Sequence, residues 1–98
     1  MKDWSFSDPP NVATITVRQI VVGQAPILLV THDVDDGGWQ FLTGGSFSTA
    51  DGMIVGLGEI VKLDSSVEEL ADLPIGWRAW RASPTGEWMR EPQEALPG

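Results

Sequence analysis

The residues of this chain whose types and spacing could do chemistry lie between Val30 and Gly45, V-T-H-D-V-D-D-G-G-W-Q-F-L-T-G-G. His32, Asp33, Asp35 and Asp36 suggest a metal site first. A calcium loop of the helix-loop-helix kind needs oxygen ligands at positions 1, 3 and 5, Gly at 6 and a bidentate acid at 12. Counted from Asp33, position 5 is Gly37 and position 12 is Gly44, so the pattern fails. Zinc would want more than one imidazole or thiolate, and the chain has one His and no Cys. Two carboxylates could also share hydrolytic work. That needs one raised pKa, which an open, solvated loop opposes. Serine chemistry has no G-x-S-x-G elbow, and Gly44-Gly45-Ser46 lacks the lysine of a phosphate-cradling loop. The expectation is a non-catalytic protein with no cofactor and no metal.

These residues must be held by a fold of modest size. Ninety-eight residues suit one domain spanning 1-98, in which five Trp and three Phe serve mainly as packing. With no Cys there is no disulfide framework, as in a reducing cytoplasm. The N-terminus has no apolar run before Pro9, and Ile20 to Val30 is broken by Gly23, Gln24 and Pro26. The reading is therefore no signal peptide, no membrane span and a cytoplasmic location.

Fourteen acidic and six basic residues give a formal charge of −8. Residues 1–75 hold eleven acids and three bases, and residues 76–98 hold three of each. Acidic surface repels phosphate backbones, so nucleic acid is disfavoured as a partner and a basic protein is favoured. The plainer explanation of the charge is solubility.

Periodicity predicts an α+β fold, a mostly antiparallel sheet with one or two short helices packed on it. Asp8-Pro9-Pro10-Asn11 makes 1-11 an extended N-terminal segment, and 92-98 reads as a frayed tail. Val12 to Thr16 suits a strand, and Val17 to Val22 a helical turn stopped by Gly23. Pro26 to Thr31 is apolar at successive positions, which predicts a central strand covered on both faces. Trp39 and Phe41 share one face of the next strand, opposite Gln40 and Leu42. Met53 to Val55 begins a strand, and Leu57, Ile60 and Val61 have helical spacing. Ser65-Ser66-Val67-Glu68 reads as a capping box opening a helix that Pro74 ends. Ser83-Pro84-Thr85-Gly86 has type I turn preferences between two strands.

Trp77 and Trp80 are three apart in that hairpin, so a regular strand turns one of them outward. An outward Trp beside Arg78 or Arg81 has the composition of a protein-contact hot spot, although a bulge or a second layer of structure could bury both rings. The binding residues expected from the sequence are Asp33, Asp35, Asp36, Trp80 and Arg81.

The blocks His32-Asp33, Asp35-Asp36-Gly37, Trp39-Gln40-Phe41 and Gly44 are followed by Leu57-Gly58-Glu59-Ile60-Val61, Asp64, Leu73-Pro74 and Gly76-Trp77-Arg78-Ala79. From about Asp8 to Arg90 the chain resembles small bacterial proteins predicted to be immunity proteins of polymorphic toxin systems, with a core of the form D-D-G-x-W-x-F-x-x-G. The resemblance implies a stoichiometric binder that neutralises a toxin domain in the cytoplasm. It supplies no catalytic residue. A basic toxin would suit the acidic surface. Two alternatives stand beside this: a housekeeping or regulatory interaction domain, and a metal or small-ligand domain using the Asp33 to Gly38 loop.

Overall fold

The computed structural model describes residues 4–46 and 48–93. β1 (Ala13–Val17) and a one-turn helix α1 (Arg18–Val21) open the regular structure, with Gly23 at φ +80° ending the turn where a side chain would be strained. β2 (Leu29–His32) and β3 (Trp39–Leu42) follow. A 3-10 turn (Thr49–Asp51) leads into β4 (Gly52–Gly56) and α2 (Leu57–Leu63). A second 3-10 helix (Ser65–Leu70) precedes β5 (Trp77–Trp80) and β6 (Met89–Pro92).

The six strands form one sheet in the order β4-β1-β3-β2-β5-β6. Only the β1–β3 pair is parallel, so the fold is α+β with a mostly antiparallel sheet, as its periodicity predicts. Among the described residues no helix is long and apolar enough to cross a membrane.

Alternation decides which face the helices cover. Thr14 and Thr16 of β1, Val30 of β2, Trp39 and Phe41 of β3 and Ala79 of β5 are buried, together with Ile20, Leu57, Ile60, Val67 and Leu70 from the helices. The two buried threonines keep their hydroxyls satisfied: Thr14 Oγ1 donates to the Val55 carbonyl at 2.8 Å and Thr16 Oγ1 to the Phe41 carbonyl at 2.7 Å. The opposite face carries no helix among the described residues.

Several expectations change. β2 begins at Leu29 rather than Pro26, and it is central but covered on one face only, because the helices pack on the side of Val30; Ile27 reaches the core from the segment before the strand. The helix after residue 64 is 3-10. Its cap is Asp64, one residue before the expected Ser65, and Asp64 Oδ1 accepts from the Ser66 N–H at 3.0 Å and the Ser66 hydroxyl at 2.6 Å. The N-terminal segment is not extended where described: Val12 N–H closes a turn on the Pro9 carbonyl, and Phe6 is 5% exposed in the core. The tail does not begin at residue 92 either, since Pro92 pairs with Trp77 and the Gln93 N–H donates to the Gly76 carbonyl at 2.7 Å. The rest of the predicted tail, 94–98, and the first part of the N-terminal segment, 1–3, lie outside the described residues.

Candidate functional site: the open face of the sheet

Successive strand residues point to opposite faces, so the neighbours of the buried set line the uncovered side, except Val17 at the end of β1, which is buried. Register places them in two cross-strand rows. Leu42, Leu29, Trp80 and Met89 form one, and Ile54, Ile15, Gln40, Thr31, Arg78 and Glu91 form the other. Ile54 is 74% exposed, Met89 52%, Ile15 46% and Trp80 36%, so this is an apolar surface facing water. A shallow depression of about 430 Å³ lies on it, walled by Leu29, Gly44, Arg78, Trp80 and Glu91. Arg78 and Glu91 form an ion pair across β5 and β6, and the Arg78 guanidinium lies 5.8 Å from the Trp80 ring centroid.

The acidic loop closes one end of this face. Asp33 continues the outward series Leu29, Thr31 of β2 and accepts from Gln40 Nε2 at 2.7 Å and from Gln93 Nε2 at 3.4 Å on its other oxygen. The loop then turns tightly. The Asp33 carbonyl accepts from the Gly37 N–H, the Gly38 carbonyl accepts from the Asp33 N–H, and Asp36 Oδ1 accepts from the Gly38 N–H at 2.8 Å. Gly37 sits at φ +71°, which explains the Asp-Gly pair. Asp35 and Asp36 are exposed. Leu29, the cross-strand partner of Trp80, is four residues from Asp33, so Trp80 and the acids lie roughly 13 Å apart along the strands.

Arg81 belongs elsewhere. Its side chain is 1% exposed. Nε and Nη2 donate to the Ile27 carbonyl at 3.1 and 2.9 Å, Nη1 to Ser66 Oγ at 2.8 Å and Nη2 to Asp64 Oδ2 at 2.7 Å. Its guanidinium lies over the Trp88 ring, 4.1 Å from the centroid. Of the five residues expected from the sequence, Trp80 and Asp33 lie on the open face and Asp35 and Asp36 are exposed in the turn that follows Asp33; Arg81, which also lines the depression, is an internal clamp between the strand end and the segment around Asp64. The sequence reading omitted Ile15, Leu29, Leu42, Ile54 and Met89. The local pattern gives no signal for Ile15, since an apolar residue between two threonines reads as inward, and the pairing that sets it beside Ile54 is not local.

His32 is also committed internally. Its Nδ1 lies 2.7 Å from the Leu73 carbonyl, which can only accept, so Nδ1 carries the proton. The ring stacks on Trp39 at 3.8 Å and 14°. Trp39 Nε1 in turn donates to Asp8 Oδ2 at 3.0 Å. Among the described residues no three His, Asp or Glu side chains converge to hold a metal ion.

Every described basic residue is paired with an acid: Arg18 with Asp51, Lys62 with Glu59, Arg78 with Glu91, Arg81 with Asp64 and Arg90 with Asp72. The Gln19 amide, with Arg18 beside it, holds the Asp51 carboxyl below its ordinary value; the Arg90 guanidinium does the same for Asp72. The cations are thus spent inside the molecule. The remaining acids, Asp33, Asp35 and Asp36 among them, leave the surface negative.

Fold and surface together define a one-sided α+β sheet with helices on one face and an apolar, acid-rimmed area on the other. No family model matches the chain, and neither a curated protein nor a solved structure matches it.

Proposed function

We propose that this protein is a non-catalytic binding module that acts in the cytoplasm and neutralises a basic protein partner, a toxin domain of a polymorphic toxin system, by covering it with the open face of the sheet. The observation that carries the reading is the placement of Trp80 and Asp33 on one uncovered face, with the exposed Asp35 and Asp36 in the turn that follows Asp33. A flat aromatic in an apolar centre with charge at the rim is the arrangement of a protein interface. Rim carboxylates would accelerate the approach of a cationic domain. The sequence blocks around Asp35-Asp36-Gly37 and Trp39-Gln40-Phe41 supply the toxin class by resemblance.

Co-expression with the toxin encoded beside its gene is the test. The reading expects restored growth and a stoichiometric complex, with both lost on Trp80→Ala combined with Asp35→Lys and Asp36→Lys. It is overturned if wild type neither rescues growth nor co-purifies with that toxin.

A further inference from the structure

The two edges of the sheet are built differently. β6, at one edge, carries Arg90 and Glu91 and ends on Pro92, which lacks an N–H. Charge and proline are the usual guards against pairing with another strand. β4, at the other edge, reads G-M-I-V-G, with no charge and no proline. All five of its residues pair with β1, and among the described residues no element covers its outer side. Its central Ile54 is 74% exposed.

We propose that β4 pairs with β4 of a second copy of this chain, antiparallel across a two-fold axis at Ile54. The strand is self-complementary about that point: Ile54 faces Ile54, Met53 faces Val55 and Gly52 faces Gly56. A two-fold axis normal to the sheet keeps like faces on the same side. The paired Ile15 and Ile54 of each copy would then form one apolar strip of four isoleucines across the seam. Charge favours a second copy over the basic partner proposed above. Residues 52–58 carry no acid to attract a cation, and Asp51, next to them, is already paired with Arg18 and Gln19. Two chains of charge −8 can therefore meet at this edge without opposing carboxylates.

Five paired residues a side bury less than the roughly 1,200 Å² of a standard specific interface, so the dimer is weak and concentration-dependent. It is independent of the toxin reading.

Sedimentation equilibrium of the full chain tests it. Between roughly 10 µM and 1 mM the mass should rise from 10.6 kDa toward twice that value, and added salt should favour the rise by screening the net charge. Ile54→Lys sets two ammonium groups face to face and should hold the mass at 10.6 kDa, while Trp80→Lys on the open face should leave dimerisation unchanged. Amide exchange of wild-type residues 52–56 should slow with concentration, a readout that needs no variant. A wild-type mass of 10.6 kDa throughout, an Ile54→Lys dimer equal to wild type, or a dimer abolished by Trp80→Lys would each overturn the proposal.

Discussion

Arg81 and Asp64 form an ion pair of 2.7 Å in which the arginine side chain is almost wholly buried and the carboxylate also caps the 3-10 helix. One carboxylate therefore ties the helix start to the end of β5, and one guanidinium also closes on the Ile27 carbonyl ahead of β2. Removing the arginine leaves the Ile27 carbonyl without its guanidinium donors and the Asp64 carboxylate, still accepting from Ser66, without its cation. Arg81→Ala should lose about 3–5 kcal/mol of unfolding free energy. Arg81→Lys should recover little of it, because an ammonium cannot span the carbonyl, the hydroxyl and the carboxylate together. Urea denaturation of the three proteins checks this, and an Arg81→Ala loss below about 1 kcal/mol would contradict the clamp.

The N-terminal segment should behave as part of the core. Phe6 packs edge-on against Trp39 at 5.3 Å, and Asp8 accepts from Trp39 through its carboxylate and from Trp4 through its carbonyl. Phe6→Ala should cost about 3 kcal/mol through the cavity it leaves. Trp39→Phe keeps an aromatic ring beside His32 but deletes the N–H to Asp8, at a cost of about 1 kcal/mol. Thermal melts of both variants measure it. A stiff leader lying outside the core would show no loss for Phe6→Ala.

How far the sequence carried the fold depends on whether the deciding contact was local. Trp39-Gln40-Phe41 alternates, Leu57 and Ile60 have helical spacing, and the Gly86 N–H to Ser83 carbonyl bond of 2.9 Å closes the expected turn; each of these is decided within a few residues. The parallel pairing of β1 with β3 has no local signature. Arg81 is the sharper case. Period-two alternation after an outward Trp80 turns Arg81 inward, yet a charge is not expected inside without partners, and those partners, Ile27, Asp64 and Ser66, are remote in sequence. The same remoteness hid the cap: Ser65 fits a capping box, but Asp64 takes the position while also meeting Arg81. The candidate site was half visible, because composition singled out the acids and Trp80 whereas the apolar rows between them exist only through register.

Two carboxylate pairs should contribute to a loss of stability in acid. Asp51 and Asp72 have folded-state pKa values below the ordinary carboxylate value, Asp51 chiefly through the Gln19 amide and Asp72 through Arg90. A depressed folded pKa adds stability that is present above the unfolded value, about pH 4, and is lost as pH falls through the folded value. The urea midpoint should therefore fall below about pH 4, and the Asp51→Asn, Asp72→Asn double variant should show a shallower fall. An unchanged slope in the double variant would remove these two carboxyls as the cause.

Trp77 and Trp80 separate stability from binding within one strand. Trp77 pairs with His32, lies on the helix-covered side and packs against the core, whereas Trp80 pairs with Leu29 on the open side. Trp77→Ala should lower stability by about 2–3 kcal/mol, less than for a fully buried tryptophan because Trp77 is only partly buried. Trp80→Ala should change stability by less than about 1 kcal/mol, since its ring already meets water. Binding to the proposed partner should show the reverse order. Trp80→Ala should weaken affinity tenfold or more, about 1.4 kcal/mol, mainly through faster dissociation. Asp35→Lys with Asp36→Lys should instead slow association and flatten its salt dependence, because rim charges steer approach more than they hold the complex. Surface plasmon resonance resolves the two rates. Equal effects of the tryptophan and aspartate changes on both rates would deny the division into an apolar centre and an acidic rim.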